Sequence, residues 1–430
     1  MNSKINIFWL RRDLRWEDNA ALYYALKSDF PVQPVFIFDE LILSELPKND
    51  ARVNFIYNRL IELNDELKIH NSSILVLKGK PIEIWVDLIE KYSIDEIFVN
   101  KDYEPYAINR DKEVENLVKK KDIKFSTFKD QVIFEETEIV KDDGKPYTIF
   151  TPYKKKWLKH FSENIQKPFI NLDYSNLKES KFEWMSLSKL GFEKSNLLIR
   201  PYNLSDLKNY SNIRNFPALD QTSYLSVHLR FGTIGIRQLV QDVKNESEIF
   251  LSELIWREFF KQILFHFPKV INQNFHSKFN FLPWRNNEID FESWCQGKTG
   301  YPMVDAGMRE LNQTGYMHNR VRMIVASFLT KHLLIDWRWG EAYFAKKLLD
   351  YDLSSNNGNW QWAAGTGCDA SPYYRIFNPT EQQKKFDKEG LYIKKWINEL
   401  DTLNYSTPIV EHKFARTRAL AAYKLTNNFK

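Results

Sequence analysis

The stretch Leu349–Pro379, LDYDLSSNNGNWQWAAGTGCDASPYYRIFNP, concentrates side chains that can do chemistry. The carboxylates Asp350 and Asp352 are followed by Asn356 and Asn357, by Trp360 and Trp362 flanking Gln361, by a Gly-Thr-Gly turn and by Tyr373, Tyr374 and Phe377. A core helix would repeat its apolar residues at three and four. Here polar hydrogen-bonders alternate with large π faces, and Gly and Pro break the regularity. Such a set suits a pocket for a flat aromatic ligand with polar edges: rings stack on it, while Asp and Asn meet its N–H groups and carbonyls. The same pattern reads equally as a Trp-rich buried loop whose polar groups satisfy one another.

Two further groups stand out. Glu253, Trp256 and Arg257 lie in SELIWREF, where three- and four-residue spacing puts Glu253 and Trp256 on one helix face. Read alone, they are a surface charge and a core Trp. Thr222–Ser226 (TSYLS) places hydroxyls ahead of a helix, the makings of a phosphate cradle. Ser and Thr cap helices everywhere, so this signal is weak by itself.

The elements that must hold these groups divide the chain. Short apolar runs at Ile5–Leu10, Val35–Phe38, Ile74–Leu77, Ile97–Val99 and Ile123–Phe128 read as strands. Helical spacing at Ala51–Lys68, Ile82–Tyr92 and Ala107–Lys119 alternates with them, which implies a doubly wound parallel α/β domain over 1–130. No G-x-G-x-x-G follows the first strand, so the usual pyrophosphate fingerprint of such a sheet is missing. Residues 131–199 read as a long connector with mixed strand fragments, and the lysines 154–156 as a solvated face. From about Tyr202 helical periods dominate, including Leu251, Leu254, Ile255, Phe259, Ile263 and Leu264, then Val321–Leu334 and Glu341–Leu349. The expected third part, 200–430, is an all-helical domain that carries the chemistry.

Composition bounds the function. At 430 residues, two cores are expected. Aromatics make up 15%, including 13 Trp, which favours stacking surfaces. The net charge of +5 is small, so any nucleic-acid contact needs a local basic face. Two distant cysteines, Cys295 and Cys368, suit a reducing compartment and form no metal cluster. With no long apolar run and no signal-peptide core, the expectation is a cytoplasmic monomer, without a membrane, a metal or an obligate protein partner.

The phrase NNGNWQWAAGTGCDASPYYRIFNP resembles the flavin-pocket signature of the photolyase/cryptochrome family, and within it the class I cyclobutane pyrimidine dimer photolyases of bacteria. The likeness extends to Trp294–Met323 and to FWLRRDLRWEDNAAL near the N-terminus, and is weakest in the middle of the chain. The resemblance implies FAD in the helical domain. Tyr210 and Thr222, Ser223, Tyr224, Leu225 and Ser226 would contact the cofactor, with Arg322 pairing Asp350, and Asp352 on the ring edge. Asn356 would face the reactive ring nitrogen and favour reduced flavin. Trp360, Trp337 and Trp284 match an electron-transfer chain ending at an exposed Trp284. Glu253, Trp256, Arg257, Asn319, Met323 and Trp362 match the lesion site, with Trp256 and Trp362 as its two stacking walls. Arg214 and Arg320 match DNA contacts.

The function implied is light-driven repair of DNA containing pyrimidine dimers, carried out by a carbon–carbon lyase. A cryptochrome-type blue-light photoreceptor is the alternative, set back because Glu253, Trp256, Asn319, Met323 and Trp362 occur together and no long tail follows Lys430. A flavin oxidoreductase is disfavoured by the missing nicotinamide fingerprint. For a second, antenna chromophore, folate-binding relatives carry an Asn-Glu pair after Tyr-Glu-x, where this chain has Tyr106 and Ala107. That disfavours folate and leaves a deazaflavin, a flavin or none.

Overall fold

The computed structural model describes residues 3–426. They form two compact units that are not contiguous in sequence: 3–139, 157–202 and 224–246 in one, and 140–156, 203–223 and 247–426 in the other.

The first unit is built on a parallel five-stranded sheet of β1 (Ile5–Leu10), β2 (Val32–Asp39), β3 (Leu75–Gly79), β4 (Ile94–Asn100) and β5 (Lys124–Phe128), in the order β3-β2-β1-β4-β5. Every residue of β1 and β2 is buried, as strands covered on both faces must be. The crossovers carry α1 (Ala20–Leu26), α2 (Ala51–Leu67), α3 (Pro81–Lys91) and α4 (Pro105–Lys119). Side chains of Asn19 and Asp50 cap α1 and α2, and Pro opens α3 and α4, where its missing N–H costs nothing. α1 escapes a periodicity reading because its seven residues, AALYYAL, are nearly all apolar or aromatic.

The stretch 131–199 corrects the expectation of strand fragments. It holds α5 (Phe150–Glu163), where Tyr153, Trp157 and Phe161 recur every four residues, and no ladder strand among the described residues. Its pairings with extended chain are single bridges, Val140 with Pro146 and Val32 with Leu177. Nor is it a connector: residues 131–139 and 157–199 pack in the α/β unit and 140–156 in the helical one. Of the lysines, Lys154 pairs with Glu248 and Lys156 with Asp142.

Within 200–430, the range expected to be the helical domain, two helices, α6 (Leu225–Phe231) and α7 (Ile236–Val243), also belong to the α/β unit. The reason is electrostatic. Arg237 of α7 pairs with Asp18 and Asp130, and Arg15 pairs with Asp130, all four side chains being almost fully buried. Burial alone would raise the Asp130 carboxyl; the two arginines outweigh it and hold the group below its ordinary range.

The second unit is helical. Its main elements are α8 (Glu248–His266), α9 (Pro302–Thr314), α10 (Asn319–Ser327), α11 (Trp337–Lys347), α12 (Leu353–Ala364) and α13 (His412–Leu425). The expected helix Val321–Leu334 is divided: α10 stops at Ser327 and a π-turn takes Phe328–His332. A core of Trp294, Met303, Phe328, Leu329, Trp337, Phe344 and Trp360 fills the unit.

Candidate functional site

Of the stretch first singled out, Leu353–Ala364 forms a helix, α12, which packs against α8, α10 and α11. It lacks an apolar period because its buried positions include Ser354, Asn356, Asn357 and Gln361, polar groups that are hydrogen-bonded in place of being apolar, and of its residues Asn359 is exposed. Asn357 Nδ2 and Gln361 Nε2 both donate to the Val270 carbonyl, and the Phe275 N–H donates to Gln361 Oε1. Two glycines permit the close packing. A Cβ on Gly358 would lie 2.1 Å from the Phe260 ring of α8, and one on Gly340 of α11 would lie 2.1 Å from the Trp360 ring. Gly365, at φ +75°, ends the helix in the left-handed conformation.

At the entry to α12, Arg322 donates to both oxygens of Asp350, at 2.9 and 3.2 Å, and its Nε to the Met317 carbonyl at 2.8 Å. Asp352, expected on the ring edge, also has partners within the chain. It caps α12 by accepting from the Ser355 N–H at 3.1 Å and the Ser354 hydroxyl, and it pairs with the buried Lys261 at 3.2 Å. A helix N-terminus needs an acceptor, and a buried ammonium needs a counter-ion; one carboxylate serves both. Lys261 left one trace in the sequence, a charge in the middle of the apolar run FFKQILF.

Asn356 is 9% exposed and commits its amide nitrogen to Glu341, at 3.1 Å to the carbonyl and 2.8 Å to Oε1. Its carbonyl oxygen is left as the acceptor for a ligand, which fits a ring N–H of reduced flavin. Burial holds the Glu341 carboxyl above its usual range, and the bond from Asn356 draws it back. Nothing in the spacing links Glu341 with Asn356, which stand on different helices.

Tyr210 starts a one-turn helix, with its ring edge-on to Phe250 and the Arg214 guanidinium over it. Burial and the nearby Glu253 push its phenol up to about 12. The TSYLS segment straddles the two units: Thr222 and Ser223 lie in the helical one, and Tyr224, Leu225 and Ser226 in the other, where Leu225 and Ser226 form the first turn of α6. Tyr224 itself is left-handed, at φ +51°, and accepts from Arg200 through its hydroxyl.

On α8, Glu253 forms an ion pair with Arg214 at 2.7 Å, and Trp256 and Arg257 are half-buried. One face of Trp256 is already taken: Phe150 stacks on it at 3.6 Å and 9°. A wall that stacks a base must use the remaining surface, so Phe150 backs it. Phe150 went unnoticed in the sequence because it lies in the stretch read as a connector. Trp362, also half-buried, comes from the adjoining α12.

Asn319 and Met323 share a face of α10, Asn319 exposed and Met323 half-buried. His318 is not on the helix but caps it, Nδ1 accepting from the Arg320 N–H at 3.1 Å. Burial, then Arg320 and Arg322, push its imidazole down to about 4, so it is neutral at pH 7. Arg320 bonds Asn215 and Met323, both uncharged, and lies over the Phe386 ring. Burial first, and then Arg214 and Arg375, hold its guanidinium below the ordinary value, the mark of crowded positive charge.

Trp360 and Trp337 are fully buried in one apolar cluster, and Trp284 packs against its rim. Trp284 is half-buried, not fully exposed, because the Tyr423 ring of α13 lies edge-on to it at 6.3 Å. The rings nearest Trp360 are those of Phe344 at 5.0 Å and Trp294 at 6.2 Å.

In the α/β unit, Tyr106 donates to Asp39 and Arg110 lies over the Trp9 ring near the carboxyl ends of the strands. No described helix is long and apolar enough to cross a membrane, and no group of three or more His, Cys, Asp or Glu among the described residues is placed to hold a metal.

Residues 6–169 match the family model described as DNA photolyase, and residues 250–404 the one described as the FAD binding domain of DNA photolyase. A deoxyribodipyrimidine photo-lyase of Vibrio cholerae is 35% identical across 98% of this chain and 99% of its own. An archaeal photolyase structure from Sulfolobus tokodaii, titled as containing two FAD molecules, has a TM-score of 0.86 at 36% identity, covering 98% of this chain and all of that one. A cryptochrome structure from Synechocystis has a TM-score of 0.88 at 26% identity, covering 98% and 99%. The parallel sheet, the helical unit and full-length similarity on this scale agree: the chain belongs to the photolyase/cryptochrome family of FAD-binding DNA photolyases.

Proposed function

We propose that this protein repairs cyclobutane pyrimidine dimers in DNA, using light, as a class I photolyase. When bound, FAD in its reduced and light-excited form supplies the electron that opens the cyclobutane ring and takes that electron back, so no net oxidation occurs. The chain's own residues supply position and electrostatics. Asn356 offers its oxygen to the flavin ring from an amide held by Glu341. Tyr210, Thr222, Ser223, Tyr224, Leu225, Ser226, the Arg322–Asp350 pair and Asp352 are the proposed cofactor contacts or supports.

Trp256 and Trp362 form the stacking walls for a flipped-out lesion. Aromatic–base stacking is worth about 1–3 kcal/mol per base, and extruding a nucleotide costs a few kcal/mol, less at a distorted site; photolyases are themselves among the systems from which that cost is drawn. Two walls therefore offset it. Arg214 and Arg320, with Arg257 on α8, suit phosphate contacts, which give affinity without sequence reading. Trp360, Trp337 and Trp284 would carry electrons to oxidised flavin.

The observation that favours the cyclobutane lesion is the state of His318. Repair of a (6-4) product must move a hydroxyl or amino group between bases, which needs a proton donor. Asn319 and Met323 do not titrate, and the His318 ring is neutral at pH 7 and spent on capping α10. The test irradiates the reduced protein with oligonucleotides bearing either lesion and resolves the products. Restored bases from the cyclobutane substrate alone are expected. Repair of the (6-4) substrate alone would overturn the assignment, and repair of neither would favour the photoreceptor alternative.

For an antenna chromophore, the family's α/β crevice is the proposed place. Tyr106, tied to Asp39, and Ala107 stand where a folate-binding relative carries an amide and a carboxylate, which favours a flavin or deazaflavin type.

A further inference from the structure

The π-turn Phe328–His332 and helix α13 meet through a pair of imidazoles that the repair reading does not use. His332 Nε2 and His412 Nδ1 lie 2.8 Å apart, with the ring centres 5.1 Å apart at 32°. His332 is 1% exposed and stacks on Phe328 at 4.8 Å and 18°. Its Nδ1 is buried with no hydrogen-bond partner among the described residues. A neutral imidazole carries one N–H and one lone pair, so one ring of the pair must donate and the other accept. With the His332 hydrogen on Nε2, the orphan at Nδ1 is a lone pair and not a buried N–H. His332 is therefore the donor, and His412 Nδ1 the acceptor.

A proton added to His412 turns Nδ1 from an acceptor into a donor. Two N–H groups then face each other, and the way out is to move the His332 hydrogen to Nδ1, where no described residue receives it. The new charge also stands in the first turn of α13, where a helix favours anions over cations. The groups around the pair add to this bias. Tyr301 lies edge-on to His332 at 6.0 Å, and its hydroxyl donates to the Val410 carbonyl. Arg418 of α13 donates to the His332 carbonyl at 2.6 Å, and Arg285 and Asp290 act on Arg418 in turn. Lys331, beside His332 in the turn, donates to the Ala364 carbonyl. Glu411, next to His412, is spent on capping α13 through the Lys413 and Phe414 N–H groups, each at 2.7 Å. Burial, then His412 and Arg418, push the His332 imidazole down to about 3. Burial also holds His412 below its ordinary value, with Glu411 pulling it back and Arg416 adding to the fall.

We propose that His332 and His412 form a latch that holds the start of α13 on the π-turn at neutral pH and releases it in mild acid. Closed, both rings are neutral; on opening, His412 takes one proton from solvent, an N–H bond forms and no electron moves. Because burial in the closed state lowers both imidazoles, the latch is fully present above the ordinary histidine value of about 6.5. It is lost as pH falls from there towards the closed-state values. For one proton, the open population rises by up to about tenfold per pH unit in that window. α13 also carries Tyr423, whose ring lies edge-on to Trp284 at 6.3 Å and stacks on Tyr373 at 5.5 Å and 7°. Opening α13 therefore uncovers Trp284. That consequence, unlike the latch itself, rests on the reading of Trp284 as the outer end of the electron path.

The test follows amide hydrogen exchange of α13 by mass spectrometry in the full-length, flavin-bound protein, at about one pH unit to either side of the ordinary histidine value. With the intrinsic pH dependence of exchange divided out, α13 peptides of the wild type should exchange several-fold more on the acid side. His412→Asn places an amide oxygen near the position of Nδ1, where it accepts the same hydrogen bond and does not titrate, so the pH dependence should disappear. His332→Asp should reverse it, because a carboxylate accepts from protonated His412 and α13 is then better protected as pH falls. An α13 that exchanges equally at both pH values, or the same profile in wild type and His412→Asn, overturns the latch. Photoreduction of the flavin with ascorbate as donor tests the consequence on the same samples, and should rise in acid in the wild type relative to His412→Asn. Exchange that titrates without that difference removes Trp284 as the outer end of the path and leaves the latch standing.

Discussion

Asn356 shows how much of a site lies in the orientation of one amide. Its nitrogen is held by both the carbonyl and the carboxyl of Glu341, so the oxygen is the atom presented. Glu341→Leu removes the side-chain half of that hold, worth about 1–3 kcal/mol. Reduced flavin in this variant should reoxidise in air several-fold faster than in wild type, followed by recovery of the oxidised-flavin absorbance. Glu341→Gln keeps an acceptor carbonyl and should behave nearly as the parent. Equal rates in all three would mean that Glu341 does not orient Asn356.

At the scale of elements, α12 is placed by what its neighbours lack. Gly340 leaves the gap on α11 that the Trp360 ring fills, and Gly358 leaves the gap that Phe260 fills. Gly340→Ala forces a methyl into the Trp360 ring and should cost about 1–3 kcal/mol in urea unfolding, the usual cost of overpacking. It should also slow photoreduction of oxidised flavin, because it displaces the proposed first carrier. Trp360→Phe separates the two effects: photoreduction should fall sharply with little loss of stability, while repair by protein already reduced is spared. Unchanged photoreduction in Trp360→Phe would show that another path dominates.

For the molecule as a whole, the two units are threaded through each other's sequence, and this changes which cuts it tolerates. A fragment of 200–430 lacks 140–156 of its own unit, including Phe150 beneath Trp256, and carries 224–246 of the other. It should fail to fold and to retain flavin, judged by solubility and far-ultraviolet circular dichroism; a folded, yellow fragment would contradict the interleaving. The α/β unit depends on Asp130, buried between Arg15 and Arg237. Because its folded pKa is depressed, its contribution to stability is present above the ordinary carboxylate value of about 3.9 and is lost as pH falls through the folded one. Asp130→Asn leaves two buried guanidiniums without that counter-ion and should cost about 3–5 kcal/mol at pH 7, with weaker acid sensitivity than wild type in pH-dependent denaturation.

The strands and long helices of the α/β unit were legible in the chain because burial on both faces writes continuous apolar runs and a helix on a sheet writes a stripe. The long motif around Asp350–Pro379 likewise carried the family and the cofactor, since a pocket for one ligand constrains many adjacent residues together. Other features were not legible. α12 hides its helix by filling much of its buried face with paired polar groups, so no apolar period survives. Lys261 with Asp352, Glu341 with Asn356, Phe150 with Trp256, and Arg237 with Asp18 and Asp130 are contacts between residues 15 to 219 positions apart. Local propensity carries no term for such pairs. Which carboxylate is spent on a cap, which face of a Trp is covered, and to which unit a segment belongs are set by desolvation and charge pairing between distant parts of the chain, and those come into being only when it folds.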